Sequence, residues 1–172
     1  MVIKGEITNL RSIRKNDLNY IQKWINDLEV QFYAQEEYPF FYDPWFIKYM
    51  YNDGIKGKRL IFMIEDKDGD VIGELWLFPM DYIKKTTELV ITIGKKELRG
   101  IGYGKDAINT AKKFCFNHLR FNSIYLKVFS FNIRAIRCYK SCGFKIVGII
   151  RDRVIRNGMK YDEFVMELKK EE

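Results

Sequence analysis

A chain of 172 residues, 47% hydrophobic and 31% charged, is long enough to bury one sizeable core unaided and reads as a single globular domain over residues 1–172. The opening MVIKGEITNLR lacks the apolar run of a signal peptide, and no segment approaches the ~18 apolar residues of a membrane span; the expected location is cytoplasmic, with no membrane contact. Three cysteines without paired spacing predict reduced thiols, and a single histidine, His118, leaves no credible zinc set, so no metal is expected.

The net charge of +7 is unevenly spread. Residues 1–94 hold 12 Lys/Arg against 15 Asp/Glu, whereas residues 95–172 hold 18 against 8. A basic C-terminal half suits an anionic ligand, and a mildly acidic N-terminal half is compatible with a cationic one. Nucleic acid is the rival reading of the basic half, but its positive residues are scattered, with no dense basic run.

In chain order, ITNLRSI (Ile7–Ile13) reads as a strand. NDLNYIQKWIND follows as a helix, capped by Asn16 or Asp17, with Leu18, Ile21, Trp24, Ile25 and Leu28 on one face. Residues Phe32–Tyr51 contain ten aromatics. RLIFMIED and VIGELWLF are strands around an Asp68-Gly69 turn, and TTELVITIG is the third strand of that meander. YGKDAINTAKKFCFNHL is a helix burying Ala107, Ile108, Ala111, Phe114 and Cys115. Cys115 and His118, one turn apart, could form a catalytic pair, but their helical face reads as core. SIYLKVFS is a strand. NIRAIRCYKSCGF is a short helix with Asn132 as N-cap and Gly143 at C′. The closing strands, FKIVGIIRD and KYDEFVMEL, meet at an Asn157-Gly158 hairpin. This order gives a mixed α/β sheet with helices packed on it, and a right-handed parallel crossover from Glu88 to Ser130.

The stretch LRGIGYGKDAI has glycines at alternate positions where a strand feeds a helix. The first N–H groups of that helix are unpaired and carry partial positive charge, which favours an anion. Gly100, Gly102 and Gly104 would let a phosphate reach the backbone, with Arg99 and Lys105 adding mobile charge. A ligand-free flexible connection explains the same residues, and the spacing is neither a dinucleotide fingerprint nor a P-loop.

Here the sequence resembles a family. R-G-I-G-Y-G at Arg99–Gly104 is similar to the [Q/R]-x-x-G-x-[G/A] pyrophosphate loop of the GNAT superfamily of acetyl-CoA-dependent N-acetyltransferases. Asn132–Phe144 resembles that family's N-x-x-A-x-x-x-Y-x-x-x-G-F segment. The likeness covers nearly the whole chain in element order. W-x-N-D-x-E-V at Trp24–Val30 and the closing Asn-Gly hairpin make it look closest to spermidine acetyltransferases and ribosomal-protein N-terminal acetyltransferases. The resemblance implies an α+β GNAT fold: a mixed, mostly antiparallel sheet of about seven strands, a parallel splayed pair at its middle, and helices on both faces.

It implies acetyl-CoA as the cofactor, its diphosphate held by Arg99, Gly100, Ile101, Gly102, Tyr103, Gly104 and Lys105. The pantetheine would run along main chain freed by a splay at Ile91, Thr92 and Ile93, and Asn132 would touch the cofactor or a water in addition to capping its helix. In the family the amine attacks directly, so no protein nucleophile is needed. Tyr139 is the implied general acid, and Glu88 the acceptor-contacting carboxylate that takes the amine's proton alone or through water; packing and a solvated strand end are their plainer readings. Glu36 and Glu37, among aromatics, would receive a cationic acceptor such as a polyamine. A peptide N-terminus, an aminoglycoside or an amino-sugar fits as well, and a non-catalytic CoA-binding module and an RNA-associated basic domain are rivals from other classes. A homo-oligomer is compatible with the family.

Overall fold

A computed structural model describes residues 1–171. The strands are β1 (Val2–Lys4), β2 (Thr8–Ser12), β3 (Leu60–Asp66), β4 (Val71–Asp81), β5 (Thr86–Ile93), β6 (Ser123–Phe129), β7 (Lys145–Arg156) and β8 (Met159–Lys169). The helices are α1 (Leu18–Ile25), α2 (Leu28–Ala34), α3 (Pro44–Ile55), α4 (Tyr103–Asn117) and α5 (Ile133–Ser141). All eight strands join one sheet in the order β1-β2-β3-β4-β5-β6-β8-β7. The strand not anticipated is β1; three residues are too few to display a period, and it is fixed by pairing Val2↔Arg11 to Lys4↔Asn9 on β2.

Every neighbouring pair is antiparallel except β5 and β6, which pair in parallel only at Thr86↔Ser123, Thr87↔Ile124 and Glu88↔Tyr125. Beyond Glu88, β5 stays on β4 as far as Ile93↔Gly73, and β6 stays on β8 as far as Phe129↔Glu163. The two strands therefore part into a slot that opens at Leu89, earlier than the expected splay at Ile91–Ile93.

Alternation along β3 sends its side chains to two cores. Phe62 and Ile64 join Leu75, Leu77, Ile124 and Leu126 beneath α4 and α5, where Ala107, Ile108, Ala111 and Ile136 are buried. Ile61 and Met63 face the other way, onto Ile21 and Trp24 of α1 and Ile47 of α3. Burying each such aliphatic or aromatic side chain contributes about 1.5–3 kcal/mol, so both faces of the sheet are held.

Local chemistry sets the helix starts. Asp27 accepts from Glu29 N (2.9 Å) and Val30 N (3.1 Å) to cap α2, and Asp43 accepts from Phe46 N (3.0 Å) ahead of Pro44 to cap α3. Asn132 caps α5 through Ala135 N (3.3 Å). Asp17 stands at the N-cap of α1 as expected, but its side chain does not cap the helix: the carboxylate turns back to the buried Arg11 guanidinium (2.8 and 3.0 Å) and to Arg14 N (2.6 Å). Asn157 and Gly158 have φ of 51° and 76°, as a tight hairpin with two left-handed central residues requires. Cys115 is fully buried, which pushes its thiol up to about 12, whereas His118 is exposed at the end of α4 and stacks on Phe114 at 5.6 Å; Cys115 is core packing, and the core expected around His118 is a correction.

Candidate active site

The glycine loop is built by backbone geometry. Gly100 (φ +75°) and Gly102 (φ +109°) occupy left-handed conformations that turn the chain out of β5 and into α4, with Gly102 at the N-cap. The first bond leading into the helix runs from Asp106 N to Gly102 O (3.0 Å). Among the described residues, no protein acceptor bonds the N–H groups of Gly100, Ile101, Gly102, Tyr103, Gly104 or Lys105. Nothing lies within 4 Å of where a Cβ on Gly100 would stand.

Asp106, in the first turn of α4, fixes the approach to this loop. Its carboxylate accepts from Glu6 N (3.1 Å), Ile7 N (3.1 Å), Thr8 N (2.8 Å) and Thr8 Oγ1 (2.6 Å), roping α4 to the β1–β2 turn. Burial pushes its pKa up, but the bonds from Thr8, Glu6 and Ile7 outweigh it and hold the carboxyl below its usual range.

Slot and loop together form a cleft of about 790 Å³. Of the residues read from the sequence, Glu88, Ile91, Thr92, Ile93, Arg99, Gly100, Gly102, Gly104, Lys105, Asn132 and Tyr139 line it. Ile101 points outward at 62% exposure, and the Tyr103 ring packs on the α4 core, so both can contribute only main chain. Arg99 differs from the mobile cation expected. Its Nε donates to Ile93 O (2.7 Å), Nη2 to Gly94 O (3.3 Å) and Nη1 to Glu29 Oε1 (3.1 Å), which makes it a brace for the loop.

Tyr139 reaches the cleft from α5, with its ring edge-to-face with Phe144 (6.1 Å between centroids). Its hydroxyl makes no hydrogen bond to the described residues. Desolvation, with Cys138 and Cys142 adding to it, raises the phenol's pKa above its ordinary value, so it keeps its proton throughout the neutral range.

The slot has two faces. Ile124, Leu126 and Val128 of β6 belong to the core under α4 and α5, so Tyr125, Lys127 and Phe129 project to the opposite side, with Glu88 beside Tyr125 in register. On that side Phe129 meets Phe131 (5.8 Å), and Phe131 meets Phe32 (5.5 Å) and Tyr33 (5.7 Å) of α2. Glu88 Oε2 lies 3.3 Å from Lys127 Nζ. Arg156 holds α2 in place: its buried guanidinium sits over Phe32, Tyr38 and Phe129 (5.6, 5.0 and 5.5 Å) and donates to Phe32 O (3.0 Å) and to Gln35 O. The unpaired amides and Tyr139 therefore serve one face of the slot, and Glu88 with an aromatic wall serves the other.

An acetyltransferase (GNAT) domain model matches residues 10–165. The chain belongs to the GNAT acetyltransferase family. It is 30% identical to the spermidine N(1)-acetyltransferase of Vibrio cholerae serotype O1 over 154 residues, covering 89% of this chain and 87% of that protein. Its fold superposes on a crystal structure of spermidine N-acetyltransferase from Vibrio cholerae in complex with CoA and spermine with a TM-score of 0.85 and 28% identity, over 94% of this chain and 95% of that one. A dodecameric structure of spermidine N-acetyltransferase from the same organism, in an intermediate state, matches at a TM-score of 0.77 and 28% identity, over 94% and 93% of the two chains.

This GNAT acetyltransferase uses acetyl-CoA, and its residues fit that molecule: six unpaired amides, open space at Gly100, and a β5 edge bare of β6 from Leu89 onward. Glu36 and Glu37 do not line the cleft. Glu36 Oε2 instead accepts from Arg153 Nη2 (2.7 Å) in the loop beyond α2, because the chain turns away after Ala34. Sequence reasoning did not single out Tyr33 and Ala34 on α2, or Lys127, Phe129 and Glu163, which also line the cleft. One signal was available, since Lys127 is the lone charged residue in its strand. Among the described residues, no helix is long and apolar enough to cross a membrane.

Proposed function

We propose that this GNAT acetyltransferase acetylates a primary amine of a polyamine, the acceptor entering on the Glu88 face of the slot and acetyl-CoA lying on the Tyr139 face. The observation that carries this reading is the slot itself, with anion-seeking amides behind it and a carboxylate among aromatic rings in front. Acetyl-CoA supplies an acyl thioester and, at the end of the reaction, a leaving thiolate. The amides of Gly100 to Lys105 bind the diphosphate. The main chain of Leu89–Ile93, released from β6, has groups free to orient the pantetheine arm and polarise the carbonyl. Tyr139 holds its proton at the hydroxyl and delivers it to the departing sulfur. Glu88 takes the amine's proton, directly or through one water, and the rings of Tyr33 and Phe129 shield the alkyl part of the acceptor.

The relatives named for spermidine favour the polyamine over a peptide N-terminus, an aminoglycoside or an amino-sugar. Residues 1–172 act as one N-acetyltransferase domain. A reaction drawing on acetyl-CoA and polyamines belongs in the cytoplasm. Exposed Val147, Ile149 and Ile155 along the edge strand β7 suit contact with further copies of the chain.

A thiol-release assay with acetyl-CoA and a panel of spermidine, spermine, a simple monoamine, a peptide N-terminus and an aminoglycoside tests the proposal. Spermidine or spermine should give the highest kcat/KM, with a product heavier by one acetyl group. Turnover confined to the peptide or the aminoglycoside would replace the polyamine. Tight CoA binding with no turnover of any amine would favour a non-catalytic binder.

A further inference from the structure

We infer that Lys127 is a specificity-determining residue whose ammonium, at the acceptor mouth of the slot, lowers the proton affinity of the bound amine and limits the positive charge an acceptor can bring in. This inference rests on the acceptor entering at Glu88. Lys127 Nζ is 3.3 Å from Glu88 Oε2, and both side chains line the cleft. Any ammonium seated on Glu88 therefore shares that carboxylate with Lys127 and lies a few ångströms from a like charge.

The surrounding charges do not cancel this effect. On β8, Val165 stands opposite Lys127 and Glu163 lies diagonal to it. Glu163 is largely buried and faces Arg153 Nε of β7 at 3.3 Å, and Arg153 also holds Glu36 at 2.7 Å. On α2, Glu29 is taken by Lys96 (2.7 Å) and Arg99 (3.1 Å), and Tyr33 contributes a phenol. Each carboxylate at this end already has a resident cation. Glu29 and Glu163, which line the cleft with Glu88, are thus each within ion-pair distance of another cation, and Lys127 is the one paired with Glu88.

The chemical consequence follows from the reaction. Only the neutral amine has the lone pair that attacks, whereas a free alkylamine is almost wholly protonated at neutral pH. A neighbouring positive charge disfavours the ammonium form, typically by one to three pH units at close range. Lys127 therefore trades affinity for reactivity: it weakens the hold on a polycation and raises the fraction of bound amine that is ready to react.

The test is the single-turnover rate of acetyl transfer against pH at saturating spermidine, together with the KM for spermidine and for a monoamine. Lys127→Gln should lower the spermidine KM several-fold, and by more than the monoamine KM, while the acid limb of the rate profile moves up by about one pH unit. Lys127→Met, uncharged and of similar reach, should behave like Lys127→Gln, and Lys127→Arg should keep the wild-type limb. A residue that merely positions Glu88 would change KM without moving the limb, and that outcome overturns the inference. Repeating the comparison in a Glu163→Gln background should leave the shift in place; its disappearance would assign the limb to Glu163 and overturn the inference as well. A wild-type chain that turns over no amine at any pH would overturn the proposed function itself, whereas an active wild type with an unmoved limb overturns only the role of Lys127.

Discussion

Arg99 Nη1 donates to Glu29 Oε1 across 3.1 Å, tying the segment before the glycines to α2, which walls one side of the slot. The other two arms of the same guanidinium hold Ile93 O and Gly94 O, at the end of β5. One side chain thus braces the cofactor loop, the splayed strand and α2 at once.

Arg99→Lys should therefore act as a structural lesion even though it conserves charge. A lysine ammonium cannot span two carbonyls and a carboxylate in one plane, and leaving part-buried carbonyls unpaired costs about 1–3 kcal/mol. Thermal melts should show a lower Tm, and initial rates a raised acetyl-CoA KM. Glu29→Gln should leave Tm nearly unchanged, because its pair is half-exposed, while still raising KM.

The glycines should separate by conformation. Gly102→Ala forces a side chain into φ +109° and should lower both Tm and acetyl-CoA affinity. Gly104 has an ordinary helical φ, and a Cβ there would meet Ile93 Cγ1 at 3.7 Å, an ordinary contact. Gly104→Ala should hold or raise Tm, by up to about 1 kcal/mol of helix propensity, and keep near-native CoA binding by calorimetry. Equal damage from the two substitutions would contradict the backbone account of the loop.

Tyr139→Phe removes a hydroxyl that bonds nothing among the described residues, so Tm should stay within about 0.5 kcal/mol of wild type. As the proton donor to the thiolate, Tyr139 should give a fall in kcat of about 100-fold, with the acetyl-CoA KM little changed.

Much of this was legible beforehand, and the exceptions share a cause. Asn132, Gly143 and the Asn157-Gly158 hairpin act through neighbours in the chain, so their types alone announce helix ends and a turn. Tyr139 was singled out by the resemblance of Asn132–Phe144 to the family segment, and it lines the cleft. The brace at Arg99 spans 70 residues to Glu29, and the Arg153–Glu36 pair spans 117, distances at which sequence gives no sign of who meets whom. Glu36 and Glu37 were read as acceptor ligands because their aromatic-rich segment borders the acceptor cleft by family resemblance; α2 ends at Ala34, and neither glutamate lines the cleft. Asp17 had a capping residue's type and place, but a buried Arg11 claimed it.

Glu74 provides a pH test of the fold. Burial raises its carboxyl to about 7, offset in part by the Trp76 Nε1 bond of 2.9 Å. The native state keeps this proton up to about pH 7, whereas the unfolded chain releases it near 4.5. The stability associated with the protonated form is therefore present below about pH 4.5 and lost as pH rises toward 7, an effect of about 3 kcal/mol. Glu74→Gln keeps an acceptor for Trp76 without a titrating group. Its Tm relative to wild type should rise from pH 5 to about pH 7 and level off above that; a constant difference would contradict the buried protonated carboxyl.

A crystal structure of the chain with CoA and spermine bound together addresses the central claim most directly. The account predicts the diphosphate within hydrogen-bonding distance of the amides from Gly100 to Lys105, the sulfur beside the Tyr139 hydroxyl, and an amine of spermine at Glu88 on the opposite face of the slot. A diphosphate bound away from those amides, or a sulfur and an amine on the same face with Tyr139 remote from both, would contradict it.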